Sequence, residues 1–455
     1  MKNKCGRLLA IILILFLFLS IPSSFSKRLN LDQLNPVQYD LLIVTPQKYQ
    51  GECEKLMVHK ISEGLNPTLK TTEAIFNNYP GEDQQEQIKY CIKQAYDEYR
   101  ISSVLLIGDF KDVPVRYCYN NDEYESFNEP YFISDLYYAD LYDEHQCFSS
   151  WNTDNDEFYG EWSGEYAEDV NISLTPEVAV GRFPCSHRLQ LKCMINKIIQ
   201  YETEENCEKW FNRFVVAGGD TYSEARGYNG SEFSLFEGEE LNRKAMAILN
   251  DFKSIPLWES TGTLSTFSLL KEVNTGCGFL YLSGHGSPGI WCTHPANSAE
   301  RIGNLPNYVI PFLKNADKLP VCVVGGCHNN QFDVNPFRLV KDPFFCGTWH
   351  RDCWGWRLAC NPWGGSIATI GCTGLGWQGI EFGGGGSNWL NLQFFKEYAN
   401  GEATLGSLWK NSVNKYVQTF PIEWNTPSGG GSSLNAKTVQ EWALIGDPSL
   451  EIKVS

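Results

Sequence analysis

Two short apolar segments near the middle of the chain constrain its fold more than any other feature of the sequence. One reads Phe-Leu-Tyr-Leu-Ser-Gly-His-Gly from Phe279, and the other reads Val-Cys-Val-Val-Gly-Gly-Cys-His from Val321. Each has the length and composition of a buried strand, ends at glycine, and then presents His285 or Cys327. Because ligands bind beyond the carboxyl ends of neighbouring parallel strands, the pattern predicts that these two side chains share one crevice.

Strand-like and helix-like segments alternate along the chain, which predicts an α/β fold with a mainly parallel sheet and right-handed crossovers. A chain of 455 residues exceeds one ordinary core, so two packed lobes with a similar rhythm are expected: an N-terminal α/β lobe over 27–206 and a C-terminal catalytic lobe over 207–455. The pattern also predicts a helix at 308–314 and a flexible glycine-rich loop at 428–433.

The N-terminus has the pattern of a secretory signal peptide. Basic residues precede an apolar run at 8–19, and the small residues Ser24 and Ser26 would permit cleavage after residue 26. An uncleaved anchor is the alternative. Since no later stretch is long and apolar enough to span a bilayer, we expect an exported protein without a stable membrane span after cleavage of residues 1–26.

The charge and the cysteine count narrow the possible partners and the compartment. A formal charge of −17 argues against a nucleic-acid partner. Fifteen of the sixteen cysteines follow the leader, and this odd number predicts up to seven disulfides and one free thiol, for which Cys327 is the candidate. Cys322 lies inside a predicted strand, where a small apolar residue is the alternative reading.

Between residues 117 and 169 the periodicity is lost, and aromatic residues mix with carboxylates. Long irregular segments rich in aromatic residues are usually functional rather than disordered. Asp154, Asp156 and Glu161 offer spaced oxygen ligands next to Gly160, which suggests a structural calcium site. A solvated acidic loop is the alternative, and no cofactor is required for the chemistry itself.

The two reactive residues predict nucleophilic catalysis. His285 would accept the Cys327 proton, and the thiolate would attack a peptide carbonyl to give a thioester that water then hydrolyses. The backbone N–H groups of Gly286 and Cys327 are the expected donors to the oxyanion, because glycine permits close approach.

Three rival assignments remain open at this stage. His328 adjoins Cys327, but neighbouring residues on an extended chain face opposite sides. Cys372 also follows a predicted strand and is the second candidate nucleophile. Four residues could bind zinc, although disulfides are favoured in an exported protein; they are Cys346, His350, Cys353 and Cys360.

The pattern of an apolar block, His-Gly, a spacer, a second apolar block and Gly-Cys resembles the caspase-type cysteine peptidases. Four further segments are similar to the gingipain family, and they cover 106–114, 134–138, 177–184 and 443–450. The resemblance implies a caspase-like fold of two similar packed lobes, with mainly parallel sheets flanked by helices. It also implies an exported cysteine endopeptidase that acts on protein or peptide substrates, with His285 as base and Cys327 as nucleophile.

The resemblance has further implications for specificity and metal binding. Cleavage would be governed by the residue before the scissile bond, and family members often bind calcium. Asp135 lies in a matched motif and would orient His285 or line the pocket. The segment at 142–162 looks like an insertion, so a preference for arginine is not carried over. A transpeptidase with the same dyad and a non-catalytic exported scaffold are the alternative functions.

Overall fold

A ten-stranded sheet forms the centre of the computed structural model, which describes residues 38–121, 129–204, 208–223, 235–334, 350–379 and 384–453. The predicted signal peptide lies outside these ranges. The strands are β1 Leu41–Thr45, β2 Pro67–Thr71, β3 Ser103–Ile107, β4 Arg116–Cys118, β5 Phe132–Ser134, β6 Trp162–Ser163, β7 Tyr166–Ala167, β8 Ala179–Phe183, β9 Arg213–Gly218, β10 Lys253–Trp258, β11 Phe279–Ser283, β12 His285–Ser287, β13 Ile290–Thr293, β14 Ile302–Pro306, β15 Val321–Gly325, β16 Ala368–Cys372 and β17 Trp442–Ile445.

Helices connect the strands in the alternation that the sequence predicts. They are α1 Gln50–Ser62, α2 Thr72–Asn78, α3 Gln84–Tyr99, α4 Arg188–Thr203, α5 Glu208–Phe211, α6 Glu237–Ile248, α7 Thr266–Thr275, α8 Trp354–Ala359, α9 Gly386–Ala399, α10 Leu405–Thr419 and α11 Gly431–Gln440. The third of them begins where Asp83 caps the backbone N–H of Glu86 and ends where Arg100 adopts φ 59°.

One antiparallel contact divides the sheet into two parallel halves. The strand order is β10-β9-β11-β15-β16-β17-β8-β3-β1-β2, and β16 and β17 run antiparallel. Strand β17 is parallel to β8, so the strands of the N-terminal half point opposite to those from β9 to β16. The carboxyl ends of the two halves therefore lie at opposite edges. The strands that precede residue 206 and those that follow it fall into these two halves, except that β17 joins the N-terminal half, and the two-lobe division stays a prediction.

Strand β11 is apolar over four consecutive residues, Phe279 to Leu282, because both faces of the sheet are covered there. In β11, Phe279 and Tyr281 pack into one hydrophobic cluster, and Leu280 and Leu282 pack into another. Side chains alternate between faces along a strand, so a doubly covered strand needs a continuous apolar run. This requirement explains why the segment that precedes His285 lacks the alternation of a half-exposed strand.

Two local predictions are wrong. The helix expected at 308–314 is only a 3₁₀ turn at Ile310–Phe312, where Pro311 lacks the N–H that a longer helix would use. The glycine-rich stretch expected to be a loop instead passes into α11 at Gly431, because Ala436 and Val439 bury an apolar stripe.

The cysteines of the described ranges do not form the expected disulfide framework. Cys53, Cys185 and Cys322 are free, buried thiols, and the last of these lies in β15 as a small apolar residue would. A free thiol therefore does not by itself single out Cys327. Among the described helices, none combines the length and apolarity that a membrane crossing requires.

Candidate active site

Four neighbouring parallel strands end at the same edge of the sheet, and the segments after them build the candidate site. In spatial order, β9 leads to Thr221, β11 to His285, β15 to Cys327 and β16 to Gly376. Parallel pairing places all four carboxyl ends together. The prediction that the strands before His285 and Cys327 are neighbours is confirmed.

The register of β11 and β15 puts the two reactive residues at matching heights. Ser283 pairs with Gly325, and His285 and Cys327 each follow two residues later. Gly286 and Gly326, the glycines next to these two residues in the chain, lie in close backbone contact. A Cβ on Gly326 would lie 2.9 Å from the Cα of Gly286. A Cβ on Gly286 would lie 2.6 Å from the carbonyl oxygen of Cys327. Side chains at these glycines would push the two segments apart.

A backbone carbonyl fixes the tautomer of His285. Its Nε2 lies 2.7 Å from the carbonyl oxygen of Thr221, which can only accept a hydrogen bond, so Nε2 carries the proton. In the neutral ring, Nδ1 is then the basic nitrogen. The Thr221 segment is held in turn by Glu237 at the start of α6, whose Oε2 accepts the Thr221 N–H at 3.0 Å. His294 packs edge-on against His285, with ring centroids 5.3 Å apart.

Cys327 is partly exposed, and its thiol donates to the carbonyl oxygen of Gly376 over 3.9 Å. Desolvation of the sulfur raises the pKa of Cys327 to about 12, with further increases from the carboxylates of Glu441 and Glu129. The thiol is therefore neutral near pH 7 in this arrangement. A base is needed to generate the thiolate that attacks a carbonyl.

A buried charged cluster lies beside Cys327. Glu129 contacts Lys437 at 3.0 Å and His328 at 3.4 Å, and it accepts the N–H of Leu375 at 2.7 Å. Burial opposes ionisation of Glu129, but Lys437 and His328 outweigh it and hold the pKa of this carboxyl below its ordinary value. His328 thus faces Glu129, in keeping with the expectation that it is a poor partner for Cys327.

Asp135 is engaged elsewhere. Both of its carboxylate oxygens accept hydrogen bonds from Arg182, each at 2.7 Å, and both side chains are buried. Arg182 lies in β8, in the half of the sheet whose carboxyl ends face the opposite edge. The expectation that Asp135 orients His285 is at odds with these contacts, because a carboxylate bound at both oxygens by a guanidinium is a structural ion pair. The Thr221 carbonyl bonds His285 instead.

The three expected calcium ligands do lie together. One carboxylate oxygen from each of Asp154, Asp156 and Glu161 falls within 4.8 Å of the others. Desolvation and the neighbouring acids, Glu168 first, raise the pKa of Glu161 to about 7. Crowded carboxylates of this kind fit the oxygen chemistry of a hard cation.

Two rival assignments lose support. Cys372 is fully buried, its thiol donates to the Gly374 carbonyl at 3.0 Å, and burial raises its pKa well above the ordinary value. It is therefore a poor second nucleophile. Of the zinc set, Cys346 lies outside the described residues, while Cys353 and Cys360 flank opposite ends of α8. The six residues of this helix lie between them, so seven residue steps separate their Cα atoms by about 10 Å, too far to share one tetrahedral ion.

Three residues of this region are not predicted by the sequence pattern. Thr221 follows β9, which also ends in glycine after an apolar run, so the signal used for His285 was present there too. Glu237 at the start of α6 and Asn329, two residues beyond Cys327, gave no comparable signal. A single buried carboxylate or amide becomes informative only when its contacts are known.

Comparisons with known proteins identify the family of this chain. The family model for Peptidase family C25 matches residues 35–453. Gingipain R2 of Porphyromonas gingivalis is 22% identical over 419 residues, which cover 91% of this chain and 46% of that protein. An uncharacterised protein of Archaeoglobus fulgidus is 21% identical over 353 residues, covering 75% of this chain and 77% of its own.

A solved structure shares the fold. The crystal structure of the Arg-specific cysteine proteinase gingipain R superposes with a TM-score of 0.61 at 19% identity, covering 92% of this chain and 80% of that one. The chain spans about half the length of gingipain R2, one of the curated relatives with which it aligns. From the family match over most of its length, the chain belongs to peptidase family C25.

Proposed function

We propose that the protein is a cysteine endopeptidase that uses Cys327 as nucleophile and His285 as base. The observation that carries the proposal is the pairing of β11 with β15, which delivers both residues to one edge at matching heights. Membership of a peptidase family and the gingipain relatives support the same reaction class.

The mechanism follows from the protonation states of the site. Nδ1 of His285 accepts the proton of the neutral Cys327 thiol, and the sulfur attacks the carbonyl carbon of a peptide bond. The tetrahedral oxyanion collapses to a thioester as the amine leaves with a proton from the imidazolium. Water then attacks the thioester, with His285 again accepting a proton, and the free thiol returns.

The oxyanion is assigned to backbone donors. The N–H groups of Gly286 and Cys327 are the proposed donors, because the backbones of the two segments that carry them approach closely at Gly286 and Gly326. Cleavage is governed by the residue before the scissile bond. The relative described as Arg-specific makes a basic residue the first preference to test.

The test compares the parent protein with Cys327→Ala on a peptide library. Cys372→Ala is the matched control, because this neighbouring thiol is buried. Cleavage by the parent and the control, but not by Cys327→Ala, supports the assignment. Equal cleavage by all three proteins would remove Cys327 from the mechanism. Ligated rather than hydrolysed products would favour the transpeptidase alternative, and no processing by the parent would favour the scaffold alternative.

A structural calcium ion is proposed at Asp154, Asp156 and Glu161. The oxygens of the three carboxylates converge, and the pKa of Glu161 is raised. Both observations support a site whose negative charge a cation would balance.

Export through a leader at 1–26 is also proposed. Sequencing the N-terminus of the mature protein tests it, and an intact Met1 would contradict cleavage.

A further inference from the structure

Asn329 joins the two segments that carry the reactive residues. It lies two positions after Cys327 and is fully buried. Its Nδ2 donates to the carbonyl oxygen of Ser287 at 2.9 Å and to that of Ile290 at 3.1 Å. These two residues close the β12–β13 hairpin, and β12 begins with His285. One amide group therefore connects the Cys327 segment to the His285 hairpin.

The same amide also fills the junction between the two glycines. A Cβ on Gly286 would lie 2.2 Å from Oδ1 of Asn329, and a Cβ on Gly326 would lie 2.3 Å from it. The side chain thus sits where the two backbones approach each other. Its orientation is set by the hairpin, because two carbonyl oxygens require the NH₂ end of the amide rather than the oxygen end.

We propose that Asn329 is a positioning residue that sets the placement of His285 relative to Cys327. The proposal rests on the function proposed above, and it adds the element that holds the two reacting groups in register. The strand pairing of β11 with β15 ends at Ser283 and Gly325, before either reactive residue. Beyond that point the chain leaves the main sheet and forms β12, which pairs with β13. A contact outside the main sheet must therefore fix the separation of His285 from Cys327.

The next residue provides a matched control. Asn330 is also fully buried, and its Nδ2 donates to the carbonyl oxygens of Thr369 at 3.1 Å and Ala443 at 3.0 Å. Its contacts join β16 to β17 and do not involve the His285 hairpin. In both asparagines Oδ1 lacks a hydrogen-bond partner within the described part of the chain. The two side chains therefore share burial and bonding and differ in what they connect.

The experiment measures Asn329→Ala and Asn330→Ala in the full chain, beside the parent and Cys327→Ala. Thermal unfolding gives the stability of each variant, peptide cleavage gives kcat and KM, and iodoacetamide alkylation of Cys327 across pH reports thiolate formation. Misplacement of a base by about 1 Å costs on the order of 10²-fold in rate. We expect Asn329→Ala to lose about 10²-fold in kcat with little change in KM, and to shift the alkylation profile to higher pH. Asn330→Ala should lose similar stability but keep its kcat and profile.

Each outcome separates this inference from the proposed function. A kcat of Asn329→Ala within twofold of the parent, or an equal loss in Asn330→Ala, overturns the positioning role. Cleavage that survives in Cys327→Ala overturns the proposed function instead, and the alkylation profile then still tests whether Asn329 affects the thiol. If Asn329→Ala does not fold, Asn329→Ser retains a donor near one carbonyl and should show an intermediate loss. An unchanged profile in Asn329→Ser also contradicts the proposal.

Discussion

The two halves of the sheet use their strand ends differently. In the N-terminal half, Arg182 in β8 binds Asp135, and Asp447 after β17 binds Lys60 at 2.9 Å, all of them buried. In the other half, the residues beyond the strands are His285 and Cys327, which bond to backbone carbonyls. A fully charged group is stable in the interior only when it is completely paired. A neutral imidazole and a neutral thiol need no such pairing and remain able to react. The comparison indicates that the buried charges at one edge are paired, whereas the other edge holds the two residues proposed as base and nucleophile.

The largest expected effect is on the reactive edge. His285→Ala should lower kcat by about 10⁴-fold, because it removes the base that takes the thiol proton. Its melting temperature should stay close to that of the parent, since His285 is partly exposed. Peptide cleavage and thermal unfolding check both statements. A variant that keeps more than a tenth of the parental kcat would refute the role of His285 as base.

Arg182→Met tests the opposite edge. The substitution leaves Asp135 buried without its partner, and breaking a buried ion pair costs about 3–4 kcal/mol of folding free energy. Urea unfolding should show this loss, while kcat of the folded protein stays within about twofold of the parent. The double variant Arg182→Met with Asp135→Leu should recover much of the stability. A large fall in kcat for the folded single variant would mean that this edge is not purely structural.

Two glutamates, the buried Glu237 and the half-buried Glu177, lie one in each half and sharpen the comparison through pH. Burial raises the pKa of Glu237 to about 7, with Asp220 adding to the shift, and burial likewise raises that of Glu177 to about 7, with Asp140 adding to it. An unfolded Glu ionises near pH 4.3, so each folded carboxyl holds its proton longer than the unfolded one. Each contribution to stability is therefore full below about pH 4.3, falls as pH rises to about 7, and is constant above that.

In Glu237→Gln and in Glu177→Gln, the free energy of unfolding should fall less between pH 5 and 7 than it does in the parent. Unfolding at several pH values measures this difference. Only Glu237→Gln should also alter the pH profile of kcat, because Glu237 holds the Thr221 segment that bonds His285. Glu177 instead accepts the Leu141 N–H at 2.6 Å. If both variants shift the kcat profile equally, the separation of the two halves is too simple.

The smallest expected effect concerns the acidic cluster. Calcium at ten times its Kd should stabilise the parent by about 1.4 kcal/mol. Asp154→Asn should lose this response, whereas Glu165→Gln, which changes an exposed acid of the same segment, should keep it. Thermal unfolding with and without calcium, and with magnesium as a second ion, provides the measurement. An identical response in Asp154→Asn would place any bound calcium elsewhere.

The alternation of strands and helices was predictable because buried parallel strands require continuous apolar runs. The same rule located the two segments that end at His285 and Cys327, and the glycines beside them reflect close backbone contact. The short hairpin of β12 and β13 was not predicted, because three or four residues carry too little periodicity. The helix α11 was missed because the glycines before it outweighed its short apolar stripe.

By itself, the sequence determined the fold class, and it predicted the reactive pair and the acidic triplet, because each depends on residue type and local spacing. Only the tertiary structure decided the reversal of strand direction at β17 and the pairing of Asp135 with Arg182. It also decided the hydrogen bonds made by Thr221, Glu237 and Asn329. Those features arise between segments far apart in the chain. Nothing in the spacing of a single strand specifies which distant carbonyl or charge will meet it when the sheet closes.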